Sequence, residues 1–255
     1  MEAKRLGCIC LLATLLSFTS PAAAQHRNGA AKAVGASSHT TATPVAMDAD
    51  ACFQSELQNH QVKIFRVRVA AQASTALDIH EHDYIVVSLA DSAFKIKSEF
   101  NSLSVQMKAG EVQVLKGGWP QRLVNTTDAP LDLVEIEAVR GIDPEHPECG
   151  LAVAECRDGE FGEGFTFSTL FETRKIKLSR VDLSAGGVLP KHAHIESHVL
   201  IALADMKLSN QDADKDAENL QLKAGEIVWH EGPEEHTLTN AGDKDAPILV
   251  VEFKE

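Results

Sequence analysis

An internal repeat constrains this chain of 255 residues more than any other feature. The matching segments are residues 62–69 with 176–183, 86–91 with 200–205, and 108–111 with 223–226. The first pair shares its apolar positions and one arginine, Arg66 and Arg180, at a shift of 114 residues. The last pair, after a one-residue gap, repeats the tetrapeptide Lys-Ala-Gly-Glu. A nearly constant shift along so long a stretch indicates two copies of one structural unit.

The repeat divides the chain into an N-terminal domain at residues 52–140, a connector at 141–165 and a C-terminal domain at 166–255. Both domains show short alternating apolar runs separated by Gly, Pro, Asn and Asp, which is the pattern of β-strands. The clearest runs are residues 62–69, 85–89, 112–115, 176–183, 199–203 and 227–229. No long stretch keeps a helical period, and closing such strands into a barrel removes their exposed edges. The sequence therefore predicts an all-β protein.

Histidines are unusually frequent, with 11 in the chain against one tyrosine and two tryptophans. His192, His194, Glu196 and His198 alternate along one stretch, so a regular strand would place them on one face. A returning strand could aim His236 at the same point. Imidazoles grouped in this way suit a divalent transition metal such as Mn, Fe, Ni, Cu or Zn. The alternative is a set of polar residues in a wet cavity, where each buried ring needs its own hydrogen-bond partner.

The spacing of these histidines resembles the first sequence motif of the cupins, G-x5-H-x-H-x3,4-E-x6-G. Gly186 precedes His192 by six residues, and His192 and His194 form the H-x-H pair. His198 stands at the position of the glutamate, as in four-histidine variants of the family. Asp205 stands at the position of the last glycine, which is a departure from the motif.

The second cupin motif, G-x5-P-x-G-x2-H-x3-N, is matched in the same domain. Gly225, His236 and Asn240 have the required spacing. Glu231 and Pro233 stand where the motif has its proline and its middle glycine, so the turn between them departs from the pattern.

The resemblance covers both repeats, and the fold that it implies is a bicupin. Such a chain has two tandem cupin barrels of the double-stranded β-helix (jelly-roll) type. The resemblance also implies one divalent transition metal in the C-terminal barrel, with ligands at His192, His194, His198 and His236. Cupins commonly dimerise through barrel strands, so a homodimer is possible by analogy.

Five further residues lie near the predicted ligands. Glu196 is a candidate outer partner of the site or a surface residue, with metal ligand or general base as alternatives. His230 is expected to pack or to lie at the surface. Glu231, Glu234 and Glu235 are expected to be solvated, although one of them could act as the base of an enolate-type reaction.

The N-terminal copy has lost the four-histidine pattern. Its equivalents of the four predicted ligands are Asp78, His80, Tyr84 and Gln121, and His82 matches Glu196. We therefore expect a degenerate barrel that stabilises its partner. Coordination by Asp78, His80 and His82 is the alternative.

Residues 1–24 have the pattern of a secretory signal peptide, with a basic start, an apolar run at 6–18 and alanines at 22–24. The run spans about 20 Å as a helix, which is short of the ~30 Å hydrocarbon core of a membrane. Residues 25–51 are rich in Ala, Ser, Thr and Gly and are predicted to form a flexible tether. We expect a periplasmic or secreted protein without a membrane span.

Cysteine usage and charge restrict the remaining partners. An exported protein meets an oxidising compartment, where Cys52, Cys149 and Cys156 can form one disulfide, and the sequence leaves all three pairings open. The chain has 24 Lys and Arg residues against 37 Asp and Glu residues, which argues against nucleic acid as a partner. A small molecule is the expected ligand or substrate.

Four neutral imidazoles would leave the full 2+ charge on the metal. An octahedral ion would then keep two positions for a bidentate substrate, or for a substrate and O₂. The expected function is therefore a cupin oxidoreductase resembling a dioxygenase, or an enolate-type isomerase or lyase, that acts on a small oxygenated molecule. The alternative is a non-catalytic bicupin that binds a metal or a small ligand.

Overall fold

The computed structural model of the protein describes residues 43–151, 154–212 and 215–254. The predicted signal peptide at 1–24 and residues 25–42 of the predicted tether lie outside the described residues. No helix within the described ranges is long and apolar enough to cross a membrane.

The N-terminal half begins with one short 3-10 helix (Met47–Ala49) and continues in nine strands. These strands are β1 (Phe53–Gln58), β2 (Val62–Val69), β3 (Asp78–Ile79), β4 (Tyr84–Ser88), β5 (Ser92–Lys97), β6 (Ser102–Met107), β7 (Val112–Leu115), β8 (Pro120–Asn125) and β9 (Leu131–Ala138).

The C-terminal half contains the remaining strands. They are β10 (Pro147–Cys149), β11 (Gly159–Gly162), β12 (Phe165–Thr173), β13 (Ile176–Leu183), β14 (Val188–His194), β15 (His198–Ala202), β16 (Met206–Asp212), β17 (Glu218–Leu222), β18 (Ile227–His230), β19 (Glu234–Asn240) and β20 (Ala246–Phe253). The prediction of an all-β jelly-roll architecture is confirmed.

Each half consists of a large and a small antiparallel sheet. In the N-terminal half the strand orders are β1-β2-β9-β4-β7 and β3-β8-β5-β6. In the C-terminal half they are β10-β12-β13-β20-β15-β18, with β11 beside β12, and β14-β19-β16-β17. The register repeats as well, because Val62 lies opposite Ala138 and Ile176 lies opposite Phe253. The repeat in the sequence is therefore a repeat of strand order and pairing.

Three apolar clusters form the core, and strand β9 shows how they are arranged. Leu131 and Leu133 of β9 belong to the cluster inside the N-terminal half, whereas Val134 and Ile136 belong to a second cluster shared with the C-terminal half. A third cluster fills the C-terminal half. Successive residues of a strand face opposite sides. The large sheets are therefore apolar on both faces and pack against each other across the middle of the molecule.

The arginine shared by the two repeats joins the halves. Arg66 donates a hydrogen bond to the carbonyl oxygen of Ala224 (2.8 Å) and is paired with Asp132. Arg180 donates to the carbonyl oxygen of Gly110 in return (3.4 Å). Gly225 has a φ of 79°, and a Cβ there would lie only 1.2 Å from a guanidinium nitrogen of Arg66. The arginine of each half therefore binds to the Lys-Ala-Gly-Glu turn of the other half.

Of the three cysteine pairings that the sequence leaves open, the structure contains one. Cys149 and Cys156 are bonded to each other, and Cys52 is buried in the core of the N-terminal half.

Residues 43–51, predicted to belong to the flexible tether, pack on the barrel, with Met47 buried and the Asp50 carboxylate accepting from the Ala76 N–H (2.7 Å). The connector contributes β10 and β11 to the large C-terminal sheet.

Candidate metal centre

Two neighbouring strands of the small C-terminal sheet supply the first three histidines. His192 on β14 lies directly opposite His236 on β19. His194 follows two residues later on β14, so its side chain points to the same face of the sheet. His194 and His236 are buried, and His192 is half-buried. The small sheet therefore aims three imidazoles at the interior of the barrel.

The chain bends after His194, and this differs from the regular strand expected between His192 and His198. β14 ends at His194, and Ile195 is 78% exposed. His198 then begins β15 in the large sheet, opposite His230 of β18 and Glu252 of β20. The bend packs against Gly232, where a Cβ would lie 2.4 Å from the backbone carbonyl carbon of Glu196. The histidines therefore share a space between two sheets rather than one face of a single strand.

The ligand atoms of His192, His194 and His236 all lie within 4.8 Å of one another. The Nε2 atoms of His192 and His236 are 2.9 Å apart. The rings of His194 and His236 are nearly perpendicular, with centroids 5.3 Å apart. Such convergence from different directions suits a single ion better than it suits packing of the rings on each other.

Each of these rings has an oxygen acceptor beside its outer nitrogen. The Nδ1 atom of His192 lies 2.8 Å from the Pro190 carbonyl oxygen, and that of His236 lies 3.1 Å from Glu234 Oε1. The Nδ1 atom of His194 lies 3.2 Å from Glu252 Oε2. For His192 and His236 these contacts favour the tautomer that leaves Nε2 without a proton, which is the usual arrangement behind metal-binding histidines. The approach of His194 to Glu252 does not meet hydrogen-bond geometry.

The charge state of the rings also fits a metal. Burial lowers the pKa of His192 although its Pro190 contact opposes this shift. Burial, and after it the neighbouring His192, lowers the pKa of His236 to about 4. Both rings are neutral at pH 7, and with their Nδ1–H groups donating to Pro190 and Glu234 the two Nε2 lone pairs would face each other. Two nitrogens bound to one ion at about 2.0–2.1 Å in adjacent octahedral positions would be about 3 Å apart, close to the separation observed.

His198, the fourth predicted ligand, belongs to an adjoining group. Its ring stacks on His194 (centroids 4.0 Å apart) and on His230 (4.9 Å). Its ligand atoms cluster with those of His230 and Glu234, within 4.8 Å of one another. Burial, followed by the charges of His194 and His230, lowers the pKa of His198 to about 3. The four-histidine ligand set stays a prediction, and three of its members converge directly.

Glu234 is not solvated as expected, whereas His230 packs against His198, which is one of the two positions expected for it. Both side chains are about nine-tenths buried, at 10% and 11% exposure. Glu234 begins β19 two residues before His236, so it shares the inward face of that histidine. Its pKa is lowered because His230, the Asn210 amide and His236 together outweigh the effect of burial. The two-residue spacing from His236 is the signal that could have identified Glu234.

The other predicted neighbours lie farther out. Glu231 and Glu235 are exposed, as expected, and Glu235 pairs with Lys191 (2.8 Å). Glu196 lies in the bend between β14 and β15, and no contact among the described residues joins its carboxylate to a site histidine. The carboxylates beside the site histidines are those of Glu234 and Glu252, and the pKa of Glu252 is lowered because contact with His194 outweighs burial. The roles predicted for Glu196 stay predictions.

A cleft of about 270 Å³ opens onto this second group. His230 and Glu234 contribute to its wall beside Trp229 and Pro233. The other lining residues are Asn210, Asp212, Lys215, Asp216, Glu218 and Glu231. Carboxylates outnumber cationic side chains in this lining, so the cleft has a negative potential that attracts cations.

The N-terminal barrel holds different residues at the corresponding places. Asp78 lies opposite Gln121, as His192 lies opposite His236. His80 is stacked on Tyr84, with ring centroids 3.6 Å apart. His82 lies in the bend after β3, with its backbone N–H donating to Glu137 (3.1 Å).

No protein-family model and no curated protein matches the chain, whereas solved structures do. AerE from Microcystis aeruginosa superposes with a TM-score of 0.53 at 12% identity, covering 81% of this chain and 99% of that one. A cupin 2 conserved barrel domain protein from Leptotrichia buccalis gives 0.51 at 12%, covering 79% and 88%. A salicylate 1,2-dioxygenase from Pseudaminobacter salicylatoxidans gives 0.55 at 8%, covering 76% and 71%. Together with the strand topology, these likenesses show that the chain has the cupin fold.

Proposed function

We propose that this chain is a metal-dependent bicupin enzyme whose C-terminal barrel binds a divalent transition metal through His192, His194 and His236. The observation that carries the proposal is the convergence of three imidazoles, each with an oxygen acceptor beside its outer nitrogen. Chance burial of polar residues would not orient three rings toward one point.

The protein residues define what this centre can do. When bound, a transition metal supplies Lewis acidity and open positions for oxygen donors. Three neutral imidazoles leave its charge undiminished, and a facial set of three leaves room for a bidentate substrate together with O₂. Glu234 contacts both groups of histidines, since its Oε1 atom lies 3.1 Å from His236 Nδ1 and its Oε2 atom lies 2.9 Å from His230 Nδ1. The proposed reaction is therefore dioxygenase-like, with an enolate-type isomerisation or lyase reaction as the alternative.

The substrate class follows from the charge of the cleft. Likeness to a salicylate 1,2-dioxygenase supports a small oxygenated substrate. Salicylate is an anion, however, and the cleft beside His230 is lined mainly by carboxylates. None of His192, His194 and His236 lines this cleft, but Glu234 lines it and contacts His236. Because like charges repel at such a lining, the proposal is that neutral phenols, diketones or hydroxyketones are accepted in preference to carboxylates.

Location and assembly belong to the same proposal. The apolar segment at residues 6–18 and the disulfide between Cys149 and Cys156 support a periplasmic or secreted protein. A homodimer remains a prediction by analogy with other cupins.

The test combines metal content with oxygen consumption. Untagged protein, expressed from its full-length sequence, is analysed by mass spectrometry for Mn, Fe, Ni, Cu and Zn, beside His192→Ala and His236→Ala. Oxygen uptake is then measured with matched pairs of neutral and carboxylated phenols and with diketones. The proposal requires metal in the wild type, its loss in the variants, and metal-dependent turnover of at least one neutral substrate. Absence of metal after reconstitution would overturn it.

A second candidate function is non-catalytic metal binding. The acid-lined cleft supports it, because such a mouth attracts cations whether or not a reaction follows. Tight metal binding without turnover of any compound in the panel would favour this candidate.

A further inference from the structure

A second group of potential ligands lies beside the three converging histidines. His198 on β15 faces His230 on the adjacent strand β18, and their rings are parallel within 5°. Glu234 Oε2 lies 2.9 Å from His230 Nδ1 and 3.9 Å from His198 Nε2. The three residues come from three strands and two sheets, yet their ligand atoms lie within 4.8 Å of one another.

Two buried atoms of this group have no hydrogen-bond partner. Glu234 Oε2 has none despite its short distance to His230, because that approach does not satisfy hydrogen-bond geometry. His198 Nδ1 also has none, and the His198 side chain is only 2% exposed. Leaving a buried polar atom unpaired costs about 1–3 kcal/mol, and more for a charged group. A cation bound at Glu234 Oε2 would remove that cost for the carboxylate. His198 faces the same point with its Nε2 atom, 3.9 Å from Glu234 Oε2, so Nε2 and not Nδ1 is its ligand atom.

Glu234 separates the two groups while contacting both. Its Oε1 atom is occupied, since it lies 3.1 Å from His236 Nδ1 and accepts a hydrogen bond from the Asn210 side-chain amide (3.2 Å). Its Oε2 atom is directed to the other side, toward His198 and His230. One carboxylate oxygen therefore orients a ligand of the first centre, and the second oxygen is left for another ion.

The acid-lined cleft provides the approach. His230 and Glu234 are the two members of this group that line it. The surrounding carboxylates would raise the local concentration of cations at this point.

We propose that His198, His230 and Glu234 form a second divalent-cation site, so that the C-terminal barrel holds two ions. Two imidazoles and one carboxylate form a donor set found in zinc and non-haem iron sites. This proposal assigns His198, the predicted fourth ligand of the first centre, to the second. It shares a barrel with the proposed enzyme centre, but it concerns the number of ions and not the reaction.

The experiment counts bound ions. Metal-free protein, expressed from the full-length sequence, is titrated with Zn²⁺ by isothermal titration calorimetry, and mass spectrometry supports the count. Wild type is expected to bind two ions and His230→Ala one, because His230 is a ligand of the second group alone. Glu234→Gln is expected to lose the second ion as well, and His192→Ala to lose the first while it keeps the second. Glu235→Gln is the matched control, since Glu235 is exposed and paired with Lys191, and it should bind two.

The outcomes separate the two proposals. Saturation of the wild type at one ion up to 1 mM Zn²⁺, or two ions in a folded His230→Ala variant, would overturn the second site and leave the first intact. Circular dichroism and the Tm establish folding of each variant, and His230→Gln replaces any alanine variant that fails this check. Two ions without oxygen consumption would support the second site while the proposed enzyme function failed.

Discussion

The two barrels have the same fold but differ in the titratable side chains buried inside them. The C-terminal barrel gathers several imidazoles, whereas the N-terminal barrel surrounds one imidazole with carboxylates. His80 Nε2 lies 3.3 Å from Glu135 and 3.8 Å from Asp78, and His80 Nδ1 lies 3.6 Å from Glu137. All four side chains are buried.

This arrangement favours the protonated form of His80. Burial by itself lowers its pKa, but Glu135 and Glu137 outweigh burial and raise the pKa to about 9. Burial, and after it the charge of Glu135, raises the pKa of Asp78 to about 7. The N-terminal barrel thus carries its own positive charge at the place where the C-terminal barrel is proposed to take an ion from solution. The comparison teaches that one scaffold can hold either a cluster of imidazoles or a buried ion-pair cluster at the same place.

The largest expected effect is on metal binding, and it should occur in one barrel only. We expect His236→Ala to weaken binding of the first ion by more than about 100-fold, since removal of an outer partner alone typically costs 10–100-fold. Gln121→Ala, at the matching position of the N-terminal barrel, should leave binding unchanged. Zn²⁺ titration of both variants measures this difference, and equal effects would break the comparison.

The next effect is a loss of stability with rising pH that originates in the N-terminal barrel. Because the pKa of His80 is raised from 6.5 to about 9, its contribution is fully present below pH 6.5 and is lost as the pH rises through 9. The shift corresponds to a loss on the order of 3 kcal/mol. Urea unfolding at pH 6.5 and 9.5 should show this loss in the wild type and a much smaller one in His80→Gln.

The control for this prediction is His146→Gln, because His146 is exposed and contacts only Asp143. That variant should follow the wild-type pH profile. Asp78 acts in the same direction but at lower pH, since its raised pKa removes stability between about 4 and about 7. A wild-type profile that is flat between pH 6.5 and 9.5 would contradict the assignment of His80 as a buried cation.

Matched carboxylates provide a sharper comparison. Glu252 faces His194, and Glu137 faces His80 in the corresponding position of the other barrel. We expect Glu252→Gln to weaken metal binding by about 10–100-fold. Glu137→Gln should leave metal binding unchanged and lower the unfolding free energy by about 1–3 kcal/mol, because a buried charge loses a partner. Zn²⁺ titration and urea denaturation of both variants test whether the first loses metal affinity and the second loses stability.

The smallest expected effect concerns the arginines that join the halves. Arg66 is 6% exposed, whereas the Arg180 side chain is 34% exposed. We expect Arg66→Gln to lower the unfolding free energy by about 1–2 kcal/mol and Arg180→Gln by less than about 1 kcal/mol. Denaturation curves decide this, and a larger effect at Arg180 would show that burial does not set the difference.

The fold could be predicted because the internal repeat and the alternation of apolar residues along the strands can both be read directly from the sequence. The positions of His192, His194 and His236 could be predicted from the alternation of a strand and from a motif. His230 could not, since its position depends on the pairing of β18 with β15. The burial of Glu234 was not predicted, because acidic residues near a turn are usually solvated. Its spacing of two residues from His236 is the signal that places both side chains on one face. The cysteine pairing depends on the path of the connector, which has no periodic signal.

The shared core between the large sheets has a consequence for folding. A barrel produced alone would expose an apolar sheet face that includes Val134 and Ile136, or its C-terminal counterpart, to water. Neither half therefore has a complete set of stabilising contacts before the other forms, and we expect a single cooperative unfolding transition. A barrel with a degenerate site would still contribute to stability under this arrangement, because it covers the apolar sheet face of the other half.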